Sequence, residues 1–206
     1  MKLLILVSSP QFLLHENETL VKLFRAGLEI FHLRKPDCPE QQIREYLNLI
    51  PAGLHNRIVL HSHYHLASEY NLRGIHLTEK TKHTCGPDWE AQRMKNQTVS
   101  ASFHRLEDVR QISCHYDYIF LSPVFDSISK EDYTHAFSET EIEGICDEMK
   151  ARPHPIPIVG LGGVDISNIM KIKAMKLSGA ALLGAVWQQA DPVEAFIRIQ
   201  QEYNNA

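Results

Sequence analysis

Short apolar runs alternate along this chain with longer segments in which apolar residues recur every third or fourth position. The short runs are too brief for helices and apolar on both faces, which predicts buried parallel strands at 3–8, 29–34, 57–61, 74–77, 98–103, 118–121, 157–160 and 179–184. The longer segments predict helices at 16–26, 39–50, 64–70, 87–95, 106–112, 138–150, 166–175 and 192–203, several entered through a proline or a capping serine or aspartate. Strand precedes helix throughout. Eight such units of about 25 residues match the α/β class in its (β/α)8 TIM-barrel form better than an open doubly wound sheet.

Two runs carry glycines where a strand should hand over to the next element. IPIVGLGGV (156–164) and SGAALLGAVW (178–187) are the last two strand ends, and bare backbone N–H groups there can cradle an anion at a helix N-terminus. Together they predict a phosphate clamp for a small phosphorylated molecule. The connection at 122–137 is the only long one, and its place after a strand predicts an active-site lid.

Composition narrows this picture. A length of 206 residues, 44% of them hydrophobic, predicts one domain spanning 1–206. A net charge of −4 without any basic run leaves no footprint for nucleic acid or an anionic membrane, so the expected partners are small molecules, with a homo-oligomer left open. Cys38, Cys85, Cys114 and Cys146 form no CxxC pair, which predicts reduced, inert thiols and a cytoplasmic location. The opening MKLLILVSS turns polar too soon for a signal peptide and reads as the first strand.

In a barrel the chemistry belongs at the carboxyl ends of the strands, and here those ends are polar: HLRKPD, LHSHYH, IHLTEK, ASFH and LSPVFDSISK. Arg34 and Lys130 are the natural anion partners. His61, His63 and His65 alternate, and on a continuing strand they would share one face with metal-ligand spacing. The preferred reading ends the strand near His61 and places the other two on a solvent-facing helix. No residue set is assigned to a metal on this basis. Trp89, Trp187 and Phe125 are expected in the core or a pocket wall.

These ordered strand ends resemble the thiamine phosphate synthases and their relatives the thiazole tautomerases. The family's Gln-Leu-Arg-Glu-Lys strand end corresponds to His32, Leu33, Arg34, Lys35 and Pro36, and its Gly-Val-His-Leu strand to Gly74, Ile75, His76 and Leu77. Its Ser-x-His turn is Ser102, Phe103 and His104, and its Gly-Pro-Val-Phe-x-Thr-x-Thr-Lys loop runs from Ser122 through Pro123, Ser127 and Ser129 to Lys130. Its Ile-Gly-Gly-Ile turn reads Leu161, Gly162, Gly163 and Val164, and its Ala-Val-Val-Ser-Ala turn runs from Ala181 through Leu183 and Gly184 to Ala185.

The resemblance implies a transferase that joins a hydroxymethylpyrimidine pyrophosphate to a thiazole phosphate. It places Arg34, His76, Ser102 and Lys130 in catalytic positions. It places His32, His61, Ser127, Ser129, Gly162, Gly163, Leu183 and Gly184 in substrate and phosphate binding. It also implies Mg²⁺, but the positions of the family's Asn-Asp pair and later Asp carry His61, Ser62 and Thr81, so the ligand set is not matched. Asp37 and Glu79 are the nearest carboxylate substitutes in sequence. Lys35 stands one residue before the family's lysine, a shift that reverses the face of a strand. The tautomerase branch needs no metal, but its acid–base histidine falls at Pro123, leaving His32, His61, His76 or His104 to replace it. A third reading is a barrel that binds a phosphorylated heterocycle and regulates without turnover.

Overall fold

A computed structural model describes residues 3–79, 81–82, 97–113, 115–125 and 137–205. Eight parallel strands close into a barrel in the order β1-β2-β3-β4-β5-β6-β7-β8. They are β1 (Leu3–Val7), β2 (Ile30–Leu33), β3 (Ile58–Leu60), β4 (Gly74–Leu77), β5 (Thr98–Phe103), β6 (Tyr118–Leu121), β7 (Ile158–Leu161) and β8 (Gly179–Leu182). The last strand pairs with the first through Ile5 and Ala181, which removes any free sheet edge. The (β/α)8 form expected from the alternation is the fold.

The described helices lie outside this cylinder: α1 (Glu16–Arg25), α2 (Glu40–Asn48), α3 (Leu66–Glu69), α4 (Leu106–Arg110), α5 (Glu139–Lys150), α6 (Ile169–Ala174), α7 (Gly184–Trp187) and α8 (Pro192–Asn204). Local chemistry starts the longer ones. Ser138 and Glu141 form a reciprocal capping box at α5, and Asp191 accepts from the Val193 and Glu194 N–H groups ahead of the proline that opens α8. The helix expected at 87–95, with Trp89, Cys85 and Cys114, lies outside the described residues, as does most of the 122–137 loop.

Several elements are shorter than their patterns predict: the helix expected at 64–70 covers Leu66–Glu69, and the strand expected at 179–184 ends at Leu182 because Gly184 opens α7. Two others have a cause in side-chain bonding. The strand expected at 57–61 begins only at Ile58, because Arg57 closes a 3₁₀ turn and donates to the carbonyls of Phe24 and Leu28 instead. The helix expected from 166 begins at Ile169, because Asp165 accepts from Ser167 and Asn168 accepts from Asp165, a side-chain turn that competes with helical bonding.

The apolar residues divide into two sets. An outer set, including Leu20, Phe24, Phe31, Ile145 and Phe196, fills the space between strands and helices. An inner set of Leu3, Ile5, Val7, Ile30, Val59, Tyr118, Phe120, Val159 and Ala181 fills the cylinder. Every second residue of each strand points inward, so polar side chains in the inward register are enclosed as well. His32, His76 and Ser100 are each fully buried there.

One charged pair anchors the rim. Lys35 donates to both Glu16 oxygens at 2.8 and 2.6 Å and to the carbonyls of Ser9 and Gln11, while Tyr46 donates to the same carboxylate. Both side chains are 1% exposed. Burial pulls the Lys35 ammonium below its ordinary range despite the carboxylate. Lys35 therefore turns away from the barrel mouth and fastens the loop between β1 and α1. Replacing Lys35 with Met leaves Glu16 enclosed without its cation, a loss of about 3–5 kcal/mol. Urea unfolding should show this as a lower midpoint, largely restored in the Lys35→Met/Glu16→Leu double variant.

Candidate active site

Three neighbouring strands deliver imidazoles to one point. His32 from β2 and His76 from β4 are fully enclosed, and His61, just past the end of β3, is 9% exposed. His32 Nδ1 and His61 Nε2 share a hydrogen bond of 2.9 Å, and His32 Nε2 lies 2.7 Å from the Tyr118 hydroxyl. The His76 ring stacks on His61 with centroids 4.3 Å apart, and its two nitrogens meet the hydroxyls of Ser100 and Ser102, each at 2.8 Å. Phe120 closes the cluster, its centroid 4.8 Å from His32 and 4.6 Å from His76.

Electrostatics keep this cluster neutral. Burial pushes His76 down to about 3, with the nearby Arg34 charge adding to the effect. His32 and His61 are also pushed well below the ordinary histidine range, chiefly by burial and then by their imidazole neighbours. Tyr118 is raised to about 12 by the same enclosure. Arg34 itself is exposed at the rim. Its main chain is gripped on both sides by Ser8, whose hydroxyl accepts from the Arg34 N–H and donates to its carbonyl, each at 2.9 Å.

The two glycine turns end adjacent strands on the same rim, since Leu161 of β7 pairs with Ala181 of β8. Gly162 and Gly163 have φ of 95° and 67°, backbone that favours glycine. A Cβ on Gly162 would also lie 2.9 Å from the Pro123 ring. The first turn does not open directly into a helix as its pattern predicts, because residues 164–168 intervene before α6. What the turn presents is a backbone concavity rather than a helix end. Leu183 and Gly184 do lead into α7, whose Trp187 indole donates to the Val7 carbonyl at 2.8 Å.

The other strand-end residues disperse. His63 takes a left-handed backbone (φ 50°) and faces the loop after β2 rather than the barrel: its Nε2 donates to the Cys38 carbonyl at 2.9 Å. His65 faces Glu40 on the outside at 3.3 Å. The alternating HSHYH run thus contributes only His61, and the remaining members of the cluster come from other strands, a grouping that no local spacing displays. Ser100 and Tyr118, which hold His76 and His32, were equally invisible as site residues in a linear reading. His104 is exposed at the rim, its Nδ1 2.8 Å from the Ser122 carbonyl. Ser127, Ser129 and Lys130 lie outside the described residues.

Comparison with known proteins agrees with this geometry. The sequence profile of the family described as thiamine monophosphate synthase matches residues 4–186. The chain belongs to that family. A thiamine-phosphate synthase of Bacteroides fragilis is 28% identical over 203 residues, spanning 93% of this chain and 98% of the relative. A crystal structure titled thiamine phosphate pyrophosphorylase from Bacteroides thetaiotaomicron is 31% identical, with a TM-score of 0.78 and coverage of 98% and 97% of the two chains. A thiamine phosphate pyrophosphorylase from Pyrococcus furiosus, at 16% identity and a TM-score of 0.80, shares the fold.

Against the family's Mg²⁺ expectation, the described residues offer no hard oxygen set. His61 is held by His32 and His76, and the Thr81 hydroxyl is tied to Tyr64 at 3.0 Å and to the Thr78 N–H at 2.9 Å. Of the carboxylate substitutes, Glu79 contacts Lys82 at 2.8 Å, and Asp37 is an exposed loop residue with a φ of 56°. Neutral imidazole and hydroxyl do not supply the negative charge that Mg²⁺ favours.

The lowered histidine values set a pH dependence for folding. Unfolded histidines take up protons near pH 6.5, whereas the enclosed ones resist until much lower pH, to about 3 for His76. The stability they contribute is therefore complete above pH 6.5 and is lost as pH falls below it, by up to about 1.4 kcal/mol per pH unit for each such group. Urea midpoints measured in chelator-treated buffer between pH 7.5 and 5 should fall, and fall less steeply in a His76→Gln variant.

Proposed function

We propose that this chain is a cytoplasmic transferase of thiamine biosynthesis that joins a hydroxymethylpyrimidine pyrophosphate to a thiazole phosphate, releasing pyrophosphate. The supporting observation is the convergence on one barrel rim of Arg34, Ser102 and the paired turns at Gly162, Gly163, Leu183 and Gly184. The turns hold the thiazole phosphate, helped by the Ser127 and Ser129 hydroxyls. The bond between the pyrimidine methylene carbon and the pyrophosphate oxygen breaks with its electron pair on oxygen. The thiazole nitrogen then donates its lone pair to that carbon, forming the new C–N bond and a thiazolium cation.

Negative charge grows on the departing pyrophosphate, so the protein's contribution is orientation and charge neutralisation, without a nucleophile of its own. Arg34 and Lys130 supply the cations, and Ser102 supplies a hydroxyl at the mouth. His76 lacks exposed surface and acts as a positioning residue, holding the Ser102 hydroxyl at 2.8 Å. His61, 9% exposed, is the outermost of the three imidazoles, and His32 holds it through the 2.9 Å bond.

A second reading, thiazole phosphate tautomerisation without metal, draws on one observation. His104 reaches the Ser122 carbonyl beside Pro123, the position of the tautomerase acid–base residue. The enclosed histidines suit that role poorly, since a base working near pH 7 needs a pKa closer to 7 than the value of about 3 at His76.

Purified chain given both substrates, with and without added divalent metal, should form thiamine phosphate. Isomerised thiazole phosphate alone would favour the second reading, and tight binding with neither reaction would leave a regulatory barrel. Arg34→Ala should lower kcat/KM by about 10²–10³-fold. Lys130→Ala should depress transfer more than thiazole phosphate binding, and equal losses of both would contradict its assigned role.

A further inference from the structure

The same cluster that fails to suit Mg²⁺ has the composition of a different site. His32, His61 and His76 each offer a ligand nitrogen, and all three nitrogens lie within 4.8 Å of one another. Among the described residues no carboxylate joins them. Imidazole favours zinc, copper, nickel and iron over magnesium, so the donor set selects a borderline cation.

The surroundings are arranged as outer partners of metal-bound histidines usually are, with the second ring nitrogen held by an oxygen. His32 Nδ1 faces His61 while its Nε2 is held at 2.7 Å by Tyr118. Whichever His76 nitrogen turns to a metal, the other keeps a serine hydroxyl at 2.8 Å. A tetrahedral ion with bonds of about 2.0–2.1 Å needs its nitrogens about 3.3 Å apart. The 2.9 Å between His32 and His61 is already near that spacing, and the three ligand nitrogens lie within 4.8 Å of one another. Neutral imidazoles are the protonation state a metal requires. His61, the one member with exposed surface, is the point of entry.

We propose that His32, His61 and His76 bind one divalent transition-metal ion of the zinc class, leaving a fourth position open toward Ser102 and Arg34. On binding, the proton shared between His32 Nδ1 and His61 Nε2 moves to the outward nitrogen of whichever ring carries it, so each imidazole stays neutral. The occupant of the fourth position is a phosphate oxygen of the leaving pyrophosphate, an assignment that rests on the transferase reading. The three-histidine site itself does not.

Untagged full-length chain, stripped with chelator and equilibrated with Zn²⁺, should hold one ion per chain by mass spectrometry. Co²⁺ used as a probe should give the intense visible absorption of a low-coordinate site, and pyrophosphate should change that spectrum. His61→Ala and His76→Gln should each weaken Co²⁺ binding at least 100-fold, with far-ultraviolet circular dichroism confirming folding, while His63→Ala on the outer face should match the parent. A folded parent chain that retains no stoichiometric Zn²⁺, or undiminished binding in both folded cluster variants, overturns the site. Should a variant fail to fold, parent stoichiometry and the Co²⁺ spectrum still decide the matter. The two readings separate cleanly: a chain that binds Zn²⁺ but makes no thiamine phosphate removes the transferase, whereas one that makes thiamine phosphate and binds no Zn²⁺ removes the metal site. An unchanged spectrum with pyrophosphate removes the fourth-ligand assignment.

Discussion

Closing eight parallel strands into a cylinder leaves a narrow interior that only alternate side chains can fill, and it places every strand's carboxyl end on one rim. Those two consequences govern the molecule. The lower interior is filled by aliphatic and aromatic side chains such as Ile5, Ile30, Val59 and Val159. Towards the rim the same inward register on β2, β3 and β4 carries His32, His61 and His76, so polar groups occupy a space that elsewhere holds hydrocarbon.

An enclosed polar group is costly unless each of its donors and acceptors is met. The cluster meets this demand with a string running from Tyr118 through His32 to His61, and a second running from Ser100 through His76 to Ser102. Ser100 and Tyr118 are register partners on β5 and β6, which brings the two strings side by side. The result is a neutral cluster beneath the exposed Arg34 at the rim. No carboxylate among the described residues joins the three imidazoles.

The departures from the family pattern acquire separate physical meanings. Lys35, one residue before the family's lysine, is half of an enclosed ion pair with Glu16 and fastens the loop after β1. Thr81 enters a hydroxyl network with Tyr64 and Thr78. His61 replaces a hard oxygen position with a nitrogen that finds two other nitrogens nearby. The two glycine turns end adjacent strands on one rim, and a Cβ on Gly162 would meet the Pro123 ring at 2.9 Å.

Strand positions, the order of the described helices and the polar character of the rim were legible in the sequence, because a period of two or of about 3.6 reflects the environment of each residue and its near neighbours. The glycine turns were legible for the same reason, although the loop at 164–168 that separates the first of them from α6 depends on the Asp165–Asn168 side-chain turn. Partnership was not legible. His32 and His61 meet across 29 positions, and His76 meets Ser100 across 24, distances at which only barrel register decides who faces whom. The sequence by itself determined which residues reach the rim and which enter the interior. Tertiary structure alone decided that three of those imidazoles touch while His63, His65 and His104 stand apart, because a contact between strands is set by the stagger of the closed sheet rather than by spacing along the chain.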